Sequence, residues 1–228
     1  MDQMVIAVDI DGTLYDGVGV AVEALDALRR AHREGHHVII VTGRRWEQLH
    51  RLVPDIVELC DRVVCEEGAV LVDVASGSVR LLAEPVPAEL IAALDAAGVT
   101  PLDIGRVVVG AASTSRAVVR LVLDRLGSRR EVVVNKGSIA ITPGGCDKGT
   151  GLRAALDELG ITGLPILAIG DAANDMAMFA VATIAVGVAN ADDTVRASGV
   201  HLTNAATGRG VAEAVRCFVL PRPTCTVD

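Results

Sequence analysis

The chain has 228 residues and a formal net charge of -8, from 21 Lys and Arg against 29 Asp and Glu. That balance excludes a general affinity for nucleic acid or an anionic membrane surface, so an anionic small ligand must be met by local positive groups or a metal. The length suits one large domain or a domain with a sizeable insertion, and with aromatics at only 2% its core must be aliphatic.

The five cysteines, Cys60, Cys65, Cys146, Cys217 and Cys225, are scattered with no C-x-x-C spacing, the usage expected of a reduced, cytoplasmic protein. The start has no basic stretch before its short apolar run, so no signal peptide is expected. The longest uncharged stretch, residues 176–191, is sixteen residues and too short for a membrane span.

In chain order, residues 4–8 are apolar and β-branched and predict a strand. Residues 20–34 carry Val22, Leu25 and Leu28 at helical spacing, with Gly35 as a stop. Residues 37–41 predict a second buried strand, followed by a helix from about Arg45 broken near Pro54 and a strand at 62–65. Continuous apolar strands alternating with helices argue for a parallel sheet covered on both faces.

The rhythm then changes. Residues 70–74 and 79–82 predict a hairpin, 87–97 a helix, 106–109 a strand, 113–126 a helix, and 131–135 with 138–142 a second hairpin around Lys136 and Gly137. After Pro143, Gly144 and Gly145 the parallel pattern returns, with a helix at 150–159, a strand at 166–169, a helix from Asp175 and a strand at 183–186; the tail from Pro221 is expected to fray. The expected fold is α/β, a doubly wound, Rossmann-like parallel-sheet core (1–69 and 146–228) interrupted by a smaller α+β cap at 70–145.

In an open parallel sheet, ligands bind beyond the carboxyl ends of the strands. Asp9 and Asp11 follow the first strand, Thr42, Gly43 and Arg44 the second, and Asp171, Asn174 and Asp175 a late one, while Lys148 opens the returning helix. Gathering Asp9, Asp11, Asp171 and Asp175 without a counterion is costly, because neighbouring carboxylates repel. A hard divalent cation resolves this, and Mg²⁺ takes oxygen ligands and commonly binds beside phosphate. No His or Cys except Cys146 is near these residues, which disfavours zinc. The stretch 144–150 does not meet the G-x-x-x-x-G-K-[ST] pattern of a nucleotide triphosphatase.

The segments Asp9-Ile10-Asp11-Gly12-Thr13, Val41-Thr42-Gly43-Arg44, Asp147-Lys148-Gly149 and Gly170-Asp171-Ala172-Ala173-Asn174-Asp175 resemble the four ordered motifs of the haloacid dehalogenase-like hydrolases, in their phosphatase branch. The stretch between the second and third resembles the short α/β cap of sugar-phosphate and phosphoglycolate phosphatases. The resemblance implies Asp9 as nucleophile, forming an aspartyl-phosphate, and Asp11 as general acid and base. It implies that Thr42 and Lys148 hold phosphoryl oxygens, helped by Gly43, that Gly12 and Thr13 turn backbone N–H groups toward phosphate, and that Asn174 orients Lys148 or phosphate. Mg²⁺ would be held by the Asp9 side chain, the Asp11 backbone carbonyl and Asp171, with Asp175 supporting that shell. Arg44 and Lys136 are candidates for substrate contact, and hinges are expected near Glu67-Gly68 and Gly144-Gly145. One departure stands out: relatives often carry Glu-Asn-Gly-Ala where this chain has Glu66-Glu67-Gly68-Ala69.

The expected activity is Mg²⁺-dependent hydrolysis of a small phosphorylated metabolite. A phosphomutase sharing the aspartyl-phosphate is the nearest alternative, and a non-catalytic phosphometabolite- or partner-binding protein the next. A homodimer is compatible with the sequence.

Overall fold

The structure is a computed structural model that describes residues 3–135 and 137–220. The candidate Lys136 and the tail from Pro221 lie outside the described residues.

The elements follow as β1 (Val5–Val8), α1 (Val22–Arg33), β2 (His37–Val41), α2 (Trp46–Leu52), α3 (Pro54–Val57), β3 (Arg62–Cys65), β4 (Val70–Asp73), β5 (Val79–Leu81), α4 (Ala88–Ala96), β6 (Asp103–Ile104), β7 (Val109–Ala112), α5 (Arg116–Arg125), β8 (Glu131–Asn135), β9 (Ser138–Thr142), α6 (Lys148–Leu159), β10 (Ile166–Gly170), α7 (Met176–Phe179), β11 (Ile184–Gly187), α8 (Asp193–Ala197), β12 (His201–Leu202) and α9 (Thr207–Phe218). The main sheet has eight strands in the order β12-β11-β10-β1-β2-β3-β4-β5, parallel as far as β3 and antiparallel at β4 and β5. A second sheet, β6-β7-β9-β8, is antiparallel.

The period-2 alternation of a strand explains the two-sided core. Ile6 and Val8 of β1 pack on one face with Leu28 of α1 and Val211 and Val215 of α9, while Val5 and Ala7 face Leu152 and Ala155 of α6 and Met178 of α7. Both faces of the central strands are therefore covered, which is why they read as unbroken aliphatic runs. In the cap, Leu90 and Leu94 of α4 and Val119, Val122 and Leu123 of α5 bury one face of the small sheet against Val109, Ile139 and Ile141. The intervening Gly110, Ala112, Ser138 and Ala140 face the other way and line a cleft beneath the cap.

Several expectations need correction. The hairpin of β4 and β5 joins the main sheet instead of the cap, because β3 offers its outer edge and Val70, Leu71 and Val72 are buried there. The Leu82 N–H still bonds to Ala69 in the core, and the Val86 N–H already bonds to Arg106 in the cap, so the chain crosses between them. The expected hinge at Glu67-Gly68 is a packed position instead: a Cβ on Gly68 would lie 1.9 Å from the Asp147 carbonyl oxygen. The strand expected at 106–109 starts only at Val109, since the N–H groups of Arg106, Val107 and Val108 are held by a side chain described below. Helix α6 starts at Lys148, two residues earlier than expected, because Asp147 caps it: its carboxylate accepts the Thr150 N–H at 2.7 Å, and the Asp147 N–H donates to the Thr150 hydroxyl at 2.9 Å. Cys60, Cys65 and Cys146 are free thiols, but Cys217 is disulfide-bonded, so the expectation of wholly reduced cysteines does not hold there. No described helix is long and apolar enough to cross a membrane.

Candidate active site

Strands β10, β1 and β2 are neighbours, so the residues beyond their carboxyl ends converge. Asp9 follows β1, Thr42 follows β2 and Asp171 follows β10, and all three are buried. From the first turn of α6, the buried Lys148 Nζ donates to Asp9 Oδ1 and to Asp175 Oδ1, each at 2.7 Å. The other Asp175 oxygen accepts the N–H groups of Asp171 (2.8 Å) and Ala172 (3.0 Å), which fixes the loop that carries Asp171. One carboxylate oxygen each from Asp9, Asp171 and Asp175 lies within 4.8 Å of the others. Of the four carboxylates expected to gather, Asp9, Asp171 and Asp175 come together.

Other candidates are placed differently. The Asp11 side chain is outside that cluster and takes a two-pronged contact from Arg44, with Nε to Oδ2 and Nη2 to Oδ1 both at 2.6 Å. Gly12 and Thr13 do not turn free N–H groups toward phosphate: the Gly12 N–H donates to the Tyr15 carbonyl and the Thr13 N–H to the Ile10 carbonyl. The turn closes on itself, and Thr13 reaches the site by its hydroxyl, which donates to Asp171 Oδ1 at 3.3 Å. The Thr42 hydroxyl accepts the Arg44 N–H at 3.2 Å. Asn174 directs its amide to the Glu67 carboxylate at 3.1 and 3.3 Å instead of to Lys148, and Gly43 lies against that same carboxylate.

Glu66 and Glu67 were not among the expected site residues, Glu67 standing out only as a departure from relatives. Both are buried with positive φ, 50° at Glu66 and 55° at Glu67, a strained conformation for residues with a Cβ. Glu66 reaches into the cap, where its carboxylate accepts the N–H groups of Arg106 (3.0 Å), Val107 (2.8 Å) and Val108 (3.0 Å). Glu67 reaches the other way, to Asn174. This pair ties the cap to the site's floor. Consecutive acidic residues directly after a buried strand are the only signal a reader of the sequence could have used.

Burial above all holds the Asp9 carboxyl up at about 8: the Lys148 ammonium opposes it, and the carboxylates of Asp175 and Asp171 add to the rise. Burial also acts against the Lys148 ammonium, yet the carboxylates of Asp175, Asp9 and Glu67 outweigh it and hold the amine protonated. Three clustered carboxylates against one ammonium leave a deficit of positive charge. An all-oxygen donor set with that deficit is of the kind that could hold a hard metal cation.

The cleft above these groups has a volume of about 730 Å³ and runs between core and cap, with Asp9, Asp11 and Lys148 in its lining. The sequence profile of the haloacid dehalogenase-like hydrolases matches residues 6–95 and 111–215. The chain belongs to this family. A phosphoglycolate phosphatase of Methanothermobacter thermautotrophicus is 34% identical to this haloacid dehalogenase-like hydrolase over 94% of its length and 98% of the relative's. One from Haloarcula marismortui is 32% identical over 92% and 95%. The fold is shared with a haloacid dehalogenase-like hydrolase from Bacteroides thetaiotaomicron, at a TM-score of 0.79 and 19% identity, covering 94% of this chain and 98% of that one. The matches place the hydrolase in the family's phosphatase branch.

Proposed function

We propose that this hydrolase is a Mg²⁺-dependent phosphomonoesterase acting on a small phosphorylated metabolite, with phosphoglycolate as the first substrate to test because the full-length relatives bear that name. The observation that carries the reading is Lys148 bridging Asp9 and Asp175 at 2.7 Å beside Asp171. A binding protein has no need to hold a buried nucleophile on an ammonium.

In the first step an Asp9 oxygen attacks phosphorus, the ester P–O bond breaks, and the phosphoryl group passes to Asp9 while Asp11 protonates the departing oxygen. In the second, Asp11 takes a proton from water, whose oxygen attacks the same phosphorus and releases phosphate and the Asp9 carboxylate. Asp11 has to exchange Arg44 for the leaving oxygen, and it is free to turn because its side chain stands outside the aspartate cluster. Lys148 and the Thr42 hydroxyl stabilise charge on the transferring oxygens. Asp9, Asp171 and Asp175, with the Asp11 carbonyl that the family resemblance implies, would hold Mg²⁺, which would supply positive charge beside the phosphoryl oxygens and favour the ionised Asp9. The cap, taken here as the segment between β5 and α6, limits water in the cleft.

The test is phosphate release from phosphoglycolate with and without Mg²⁺. Turnover that requires Mg²⁺ and falls at least a thousandfold in Asp9→Asn is expected. Activity that survives Asp9→Asn, or a pure folded protein with no turnover, overturns the reading.

A further inference from the structure

The first turn of α2 carries donors that the phosphoryl site does not use. Arg45 Nε lies 2.8 Å from Asp103 Oδ1, and Gln48 Nε2 donates to Asp103 Oδ2 at 3.0 Å. A guanidinium and an amide from the core thus converge on the two oxygens of a single carboxylate, which comes from the cap. All three side chains line the same cleft as Asp9 and Lys148. Of the described cations in that lining, Arg44 pairs with Asp11 and Lys148 with Asp9 and Asp175, all groups of the phosphoryl site. Arg45 is the one whose partner lies outside the phosphoryl site. Its planar fork matches a carboxylate better than a lysine would.

The pair is also exchangeable. The Arg45 side chain is 34% exposed and that of Asp103 49%, and ion pairs this open to solvent hold weakly. Charges of substrate and Asp103 repel, so a substrate carboxylate entering beside the phosphoester competes directly for Arg45 and Gln48.

We propose that Arg45 and Gln48 form a carboxylate subsite that selects phosphomonoesters bearing a second, carboxylate anion, with Asp103 of the cap occupying it until substrate enters. The inference rests on the phosphomonoesterase reading and names the residues that set its specificity.

The experiment compares kcat/KM for phosphoglycolate and for ethyl phosphate, which has a methyl group in place of the carboxylate, in the Mg²⁺-loaded full chain and in Arg45→Gln and Asp103→Asn. The phosphoglycolate-to-ethyl-phosphate ratio is expected to fall by at least about fivefold in Arg45→Gln, through KM, and to rise in Asp103→Asn. A contact that merely latches cap to core moves both esters together and shifts both variants in one direction. A smaller fall in Arg45→Gln, or a fall in Asp103→Asn as well, overturns the subsite. If the unmodified protein cleaves ethyl phosphate but shows such ratios, only the subsite fails; if it cleaves neither ester, the phosphomonoesterase reading fails with it.

Discussion

Asp9 is surrounded by groups that decide its charge: Lys148 from α6, and Asp171 and Asp175 from the loop after β10. Without metal its carboxyl titrates near 8 in the folded chain, against an ordinary value of 3.8. Between those pH values the folded state retains a proton that the unfolded state has released, so the stability present below pH 3.8 is lost as pH rises through 8. Asp9→Asn removes this term. In the presence of a chelator, Asp9→Asn should therefore melt above the unmodified protein at pH 8, by about 3 °C or more, with the gap narrowing toward pH 5. Saturating Mg²⁺ should abolish the advantage, because the cation favours the carboxylate that the substitution removes. Thermal denaturation at the two pH values decides it, and an Asp9→Asn protein that melts lower at pH 8 without metal contradicts the electrostatic picture.

Helix α6 shows how an element holds a reacting group in place. It starts on the Asp147 cap and presents Lys148 at once, and it lies so close to the end of β3 that a Cβ on Gly151 would come within 2.5 Å of Val64 Cγ1 and 2.7 Å of the Gly68 Cα. Gly151→Ala should push the helix off that contact, destabilise the protein by about 2 kcal/mol, and lower kcat as Lys148 shifts from Asp9. Urea denaturation and steady-state kinetics check this; a variant of unaltered stability means the approach is looser than described. At the start of α6 the sequence was legible only in part: Lys148 was expected to open the helix, but the regular range was expected from Thr150, and the reciprocal bonds between Asp147 and Thr150 draw it back to Lys148. Strands β2, β3, β8 and β9 were legible to the residue as β-branched runs bounded by turns. The sheet that β4 and β5 join was not, because alternation within a hairpin does not say which open edge it will meet. Residues 106–108 were apolar enough to read as strand, yet a carboxylate 40 or more positions earlier takes their N–H groups.

Across the whole molecule, neighbouring parallel strands bring Asp9, Thr42 and Asp171 together although the chain separates them widely. That part of the site was legible, because ligands gather at strand ends and clustered carboxylates call for a counterion. The contacts between core and cap were not: Glu66, Arg45 and Gln48 gain meaning only from where β6 and the approach to β7 come to lie over α2. With a net charge of -8, the electrostatic attraction of an anionic substrate falls to local positive groups or a metal, which puts the proposed metal at the centre. Calorimetric titration of Mg²⁺ into the full chain and into Asp171→Ala tests this most directly. One Mg²⁺ should bind per chain, and the affinity should fall at least about tenfold in Asp171→Ala. A protein that binds no Mg²⁺, or an Asp171→Ala variant that binds it as tightly as before, contradicts a cation shared by Asp9, Asp171 and Asp175.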